Sequence, residues 1–178
     1  MEQKEVTQIA RKLGRTLVDS GVKMLKSAFK LTPSVYSKAD MQLFLNGLAF
    51  PSTSLSDEKY YVVGLEDWKN IIAQDWIGEK KYMVDVFDCD DYGFGFSSYA
   101  SYVFDLNTAG VAYGAVYNAD TGAWIVNHAF NLIITLEDGA LVPYLYEPAT
   151  HEYAKWVKGK NILPHNNWEY RINWVILF

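Results

Sequence analysis

The sequence predicts an α+β fold, with N-terminal helices followed by a core helix headed by Cys89 that packs on a mostly antiparallel β-sheet. Three observations predict it. Apolar residues recur at three- and four-residue steps through the first thirty positions, the spacing of one helical face. From Lys80 onward, strand-like runs alternate with turn residues. Only the stretch 90–104 interrupts that second half with helical spacing, through Tyr92, Phe96, Tyr99, Val103 and Phe104.

The elements follow in order. Val6, Ile9, Ala10, Leu13, Leu17, Val18, Met24, Leu25 and Phe29 predict an amphipathic helix or helix pair over 2–29, weakened at Gly14 and Gly21 and ended by Thr32-Pro33. Ser37, with Asp40 at the capping-box position, predicts a helix from 37 to 46. Residues 51–57 read as a turn-rich linker, 59–63 as a strand, and 66–77 as a helix carrying Trp68, Ile71, Ile72 and Trp76 on one face and ended by Gly78. Further strands are predicted at 82–87, 111–117, 124–135, 141–146 and 170–177, with hairpin turns at 118–122 and 137–139. The expected organisation is a single domain, 1–178: a basic amphipathic segment (1–31), a helical region (32–78) and an α+β core (79–178) that carries the chemistry.

Composition narrows the function. Six Trp, 13 Tyr and 9 Phe in 178 residues supply ample core. Residues 1–30 hold Lys4, Arg11, Lys12, Arg15, Lys23, Lys26 and Lys30 against Glu2, Glu5 and Asp19, so a net charge of −5 divides into a basic start and a strongly acidic remainder. That remainder argues against nucleic acid as a partner, while the basic helix is free to mediate self-association, meet another partner or lie on an anionic surface. No stretch is long and apolar enough for a membrane span, and no secretory signal opens the chain, so a soluble, cytoplasmic protein is expected as encoded. There is no Gly-rich phosphate loop and no His-Glu-x-x-His.

A single cysteine excludes an internal disulfide and a multi-thiolate zinc site, leaving Cys89 as a buried filler, half of an intermolecular bridge, or a reactive thiol. At a helix start, the free N–H groups and the helix dipole favour the thiolate. An imidazole partner lowers a cysteine pKa from about 8.5 to about 3–7. Of three histidines, His128 stands out, a polar ring inside an apolar strand, either satisfied in the core or functional; His151 and His165 sit in polar loops as reserves. A hairpin turning near Asp138 sets position 128 opposite 147 or 148, within reach of the Glu147 carboxylate. Asp88, Asp90 and Asp91 crowd the thiol, and one carboxylate at about 6 Å opposes thiolate formation by about 2–3 kcal/mol at an effective dielectric near 20. Three arrangements relieve this: the carboxylates cap the helix, a protonated histidine compensates, or a divalent cation binds Asp88, Asp90 and Asp91, for which oxygen ligands suit calcium.

The segments 88–92 opening a helix, 127–131 on a strand and 146–148 ending the next strand resemble, in order, the Cys…His…acid set of the transglutaminase-like, papain-fold cysteine peptidases. They are also similar to the cysteine-protease domain of the fungal agglutinin family. The resemblance covers 80–178. It implies Cys89 as nucleophile, His128 as general base and acid, Glu147 as orienting group, and a cysteine hydrolase or acyltransferase (a thiol protease) acting on an amide or isopeptide bond of a peptide or isopeptide substrate. No cofactor is required, with calcium the cation it implies. One oxyanion donor is expected at the Cys89 N–H, while Gln74 and Trp76 lie further upstream than a papain-type glutamine does. The alternative is the same papain-like fold without catalysis, serving as an interaction or assembly module.

Overall fold

The computed structural model describes residues 3–159, 161–163 and 167–178. The chain divides into two compact units, Met1–Leu31 and Thr32–Phe178. The first is one helix, α1 (Gln3–Ala28), which continues through Gly21 rather than breaking there.

The second unit is α+β, a mixed, mostly antiparallel open sheet with three further helices. Strand β1 (Ser34–Ser37) leads into α2 (Lys38–Gly47), where Ser37 is the N-cap and closes the expected capping box: its hydroxyl accepts from the Asp40 amide at 3.2 Å, and the Asp40 carboxylate accepts from the Ser37 amide at 3.2 Å. The expected linker at 51–57 contains a strand, β2 (Ser52–Leu55), held by parallel pairing to the C-terminal strand, a long-range contact that local composition does not encode. Strand β3 (Lys59–Gly64) precedes α3 (Leu65–Ile72), which ends before the expected 77; the chain then makes a short 3-10 turn at Ile77–Glu79.

The strand expected at 82–87 does not form. Its alternating Val84 and Val86 are exposed, so the alternation has no core face, and the chain folds back through a single Met83–Phe87 bridge. That turn delivers the chain to α4 (Cys89–Phe104). Strands β4 (Ala109–Asn118), β5 (Trp124–Glu137), β6 (Ala140–Glu147), β7 (Glu152–Lys155) and β8 (Trp168–Leu177) complete the unit. The path runs β1-β3-β5-β4-β8-β2, with β6 on β5 and β7 on β6. The β5–β6 turn is Asp138-Gly139, both at positive φ (49° and 81°), as a tight two-residue hairpin requires.

Two apolar layers cover the sheet. One cluster joins Met41 and Leu45 of α2 to Phe130, Leu132, Leu145, Tyr170 and Val175. The other packs Trp68 of α3 and Phe96 of α4 with Tyr146, the Phe96 and Tyr146 rings 4.4 Å apart. Buried Asn131 fastens α4 to the sheet, its amide donating to the carbonyls of Gly93 (2.9 Å) and Gly110 (3.0 Å) and to Ser97 Oγ (3.0 Å). The glycines of α4 fit this close packing: a Cβ at Gly95 would meet Ile77 Cγ2 at 3.0 Å.

Candidate functional site

Cys89 is the first residue of α4, with Asp88 as N-cap and the Asp91 carboxylate accepting from the Asp88 amide at 3.2 Å. The sulfur therefore sits where helical N–H groups are free and the dipole favours negative charge. It meets β5 where that strand forks. From residue 131 onward β5 pairs with β6, while 124–130 pair only with β4 among the described residues. The Ala129 amide, released from any ladder on that edge, donates to the Cys89 sulfur.

His128 comes from the same unpaired reach of β5, and Glu147 ends β6. The ladder runs from Glu137 opposite Ala140 to Asn131 opposite Tyr146, so continuing the count sets 147 opposite 130, with 128 diagonal to it rather than facing 147 or 148. The diagonal is short enough: His128 Nε2 and Glu147 Oε2 lie 2.6 Å apart, and Glu147 is buried. The imidazole also hydrogen-bonds the Cys89 thiol. One ring thus joins a sulfur and a carboxylate.

Electrostatics follow from this geometry. The hydrogen bond to His128 lowers the Cys89 pKa, against burial, which opposes it; the Ala129 amide adds to the lowering. Burial disfavours charge on His128, yet its bonds to Cys89 and Glu147 outweigh that and push its pKa up to about 9. Asp88, hydrogen-bonded to Asp90 and to the Asp85 amide, is held low, while Asp90 is raised by the same contact with Asp88. The carboxylate crowding is therefore met by local hydrogen bonding and a cationic imidazole.

The pair has a pH signature. A histidine raised from about 6.5 to about 9 stabilises fully below 6.5 and loses that contribution as pH rises through 9; a lowered cysteine stabilises above about 8.5 and loses it as pH falls through its folded value. Above about 6.5 the two slopes oppose each other, the histidine contribution falling as pH rises while the cysteine contribution grows until about 8.5. Beyond that only the histidine contribution still changes, so the difference in unfolding free energy between the wild type and a Cys89→Ala/His128→Ala variant should shrink as pH rises through about 9. Urea denaturation at a series of pH values checks it; a difference that grows through about pH 9 would contradict the ion pair.

For a cation, the group that converges is Asp88, Cys89 and Asp90, whose ligand atoms lie within 4.8 Å of one another. Asp91 is not in it, being turned to the helix cap. Two carboxylates and a soft thiol fall short of the six to eight oxygens calcium takes.

The sulfur opens on a groove of 350 Å³ lined by Cys89, Asp90, Tyr113, Gly114, Asn127, His128, Ala129 and Asn173. The last is a bulge residue: β4–β8 pairing steps from Tyr113 opposite Trp174 to Gly114 opposite Ile172 and skips it. The Tyr113 and Trp174 rings stack at 5.3 Å, and Phe94 joins them 6.4 Å from Tyr113. Gly114, Asn173 and the Ala129 amide were not singled out from sequence. Only the turn and strand pattern around β4 hinted at their elements; a bulge and a forked edge leave no residue signature. Gln74 is not brought to the groove, for its carbonyl accepts from Tyr99, ten residues along α4 from Cys89, and Trp76 is exposed outside it. His151 lies elsewhere, its Nε2 3.8 Å from buried Asp75, whose carboxyl is raised by burial. His165 lies outside the described residues.

No family model matches the chain, and no curated protein matches it in sequence. Among solved structures, PSL1a in a complex with E64 is 21% identical with a TM-score of 0.53, the match covering 80% of this chain and 51% of that one. The Polyporus squamosus lectin bound to the human-type influenza-binding epitope Neu5Aca2-6Galb1-4GlcNAc is 19% identical with a TM-score of 0.55, covering 80% and 49%. The chain spans about half the length of these structures, and the likeness shows a shared fold. These matches correct the expected resemblance and function. The fold is shared with a lectin, a binding protein, and this overturns the assignment to papain-fold peptidases, the cysteine hydrolase or acyltransferase with its amide or isopeptide substrate, and the thiol-protease description. Order and spacing of three short segments were too little to carry a family. Among the described residues no helix is long and apolar enough to cross a membrane.

Proposed function

We propose that the chain is a binding module, the non-catalytic alternative drawn from the sequence, whose groove holds its ligand at an ionised thiol. Cys89 is the nucleophile, His128 its proton holder and counter-ion, and Glu147 the group that orients the ring. The observation that supports this is the single imidazole shared between the Cys89 sulfur and, at 2.6 Å, the Glu147 carboxylate, at the wall of an open groove. An alkylating probe reports on that thiol: the sulfur forms an S–C bond as iodide departs from iodoacetamide, the thiol proton being held on His128. A neighbour in a complex with E64 makes that compound a natural probe.

A second reading concerns the ligand. Stacked Tyr113 and Trp174 beside the Asn127 and Asn173 carboxamides offer an aromatic platform with hydrogen-bonding groups at its edge, chemistry that suits a sugar ring. A cation, expected as calcium at Asp88, Asp90 and Asp91, is a further proposal at the same mouth, where Asp88 and Asp90 converge and Asp91 is turned to the helix cap.

One experiment tests all three: the rate of Cys89 alkylation by iodoacetamide, followed by mass spectrometry from pH 5 to 9, with E64 as second reagent. The thiol reading expects labelling that persists below pH 7; a rate that rises only near pH 8.5, as for a free thiol, overturns it. Slower labelling in the presence of Neu5Aca2-6Galb1-4GlcNAc supports a sugar in the groove, and an unchanged rate removes it. A rate and a denaturation midpoint both indifferent to EDTA and added calcium dispose of the cation.

A further inference from the structure

We propose that α1 lies in the surface of an anionic lipid bilayer, its apolar side among acyl chains and its basic side among headgroups. The helix runs unbroken for 26 residues, about 39 Å at 1.5 Å per residue. Ala10, Leu13, Leu17 and Met24 follow one another at three-, four- and seven-residue steps, which keeps them on one side of it. Leu13, Leu17 and Met24 are 60%, 72% and 71% exposed, a large apolar presence for side chains facing water. At 100° per residue, Arg11, Lys12 and Arg15 fall on the opposite side, with Lys23 on the flank. A basic face opposite an apolar one, on a helix that does not qualify as a membrane span, is the composition of an interfacial helix.

Charge selects the occupant. The helix and its flank are basic while the rest of the chain is strongly acidic in sum, so an anionic surface is attracted by this segment. A second copy of α1 fits less well. A coiled-coil seam needs two rows at seven-residue intervals, and only the row Ala10, Leu17 and Met24 persists; the row begun by Leu13 continues as Ser20 and Ser27. Ser27 turns its hydroxyl to the Met24 carbonyl at 2.8 Å. Two copies in parallel would also set one basic face beside another.

The test is co-sedimentation of the full chain with vesicles of phosphatidylcholine, alone or mixed with phosphatidylserine. Binding at least about tenfold tighter to the serine-containing vesicles, and weakened by salt, is expected. Leu13→Asp/Leu17→Asp and Lys12→Glu/Arg15→Glu should each abolish it, with the urea midpoint of the second unit unchanged to show that the protein is folded. Equal binding to both vesicles, no binding to either, or a stable dimer in light scattering that Leu13→Asp/Leu17→Asp dissociates would each overturn the proposal.

Discussion

His128→Ala is expected to slow iodoacetamide labelling of Cys89 at pH 6.5 by about fivefold. Without its imidazole partner the thiol keeps only the Ala129 amide and the helix start against burial and the neighbouring carboxylate, and all of the largest lowering contribution is gone. A thiol near its ordinary value of about 8.5 is about 1% ionised at pH 6.5. The effect on rate is smaller than the effect on ionisation, because a thiolate of lower pKa is a weaker nucleophile, with a Brønsted slope of about 0.4–0.5. Ionisation wins over that slope, so the wild type stays the faster at pH 6.5, while above about pH 9, where both thiols are ionised, the slope alone remains and His128→Ala becomes the faster. Glu147→Gln separates the two bonds of the ring: it removes the 2.6 Å carboxylate contact while leaving the thiol contact in place, and should give an intermediate rate with its inflection displaced toward higher pH. A profile for His128→Ala that overlays the wild type would show that the ring does not prime the sulfur.

The second large effect is on stability. Gly114→Ala is expected to cost about 3 kcal/mol or more in urea denaturation, since its Cβ would stand 1.9 Å from the Arg171 carbonyl oxygen and 2.9 Å from the Arg171 carbonyl carbon. Both are main-chain atoms of β8 at the bulge, and no rotamer change moves them aside. The same substitution in α1 should have the opposite sign: a Cβ at Gly14 meets nothing within 4 Å, and alanine gains about 1 kcal/mol of helix propensity there, read as higher helicity in circular dichroism. Because Gly114 lines the groove and pairs where Asn173 bulges out, a Gly114→Ala protein that still folds should also lose rapid labelling of Cys89. Stability within about 1 kcal/mol of the wild type would show that β8 is free to shift.

Much of the site was legible because it depends on local chemistry. An acidic cap before a thiol, a histidine among strand apolars and a carboxylate at a strand end each carry a residue-level signal, and Asp138-Gly139 identifies the hairpin that brings two of them together. A register error of one or two residues still left Glu147 in reach, since a diagonal neighbour on one face of a sheet is near enough for a long side chain. What was not legible depends on partners distant in sequence. Strand β2 exists through pairing to residues more than a hundred positions away, and the 82–87 alternation fails because nothing pairs with it. The family reading failed for a related reason: three short segments specify a chemical arrangement, while kinship is written across a whole chain.

The forked course of β5 has a consequence for how the molecule behaves in concentrated solution. Where β6 departs, the main-chain donors and acceptors that 124–128 turn away from β4 have no partner strand among the described residues, and Trp124, Ile125 and Val126 are water-exposed. Bare β edges flanked by greasy side chains zip onto other β edges, so the feature that frees an amide for the sulfur also makes this margin the place where intermolecular sheet growth begins.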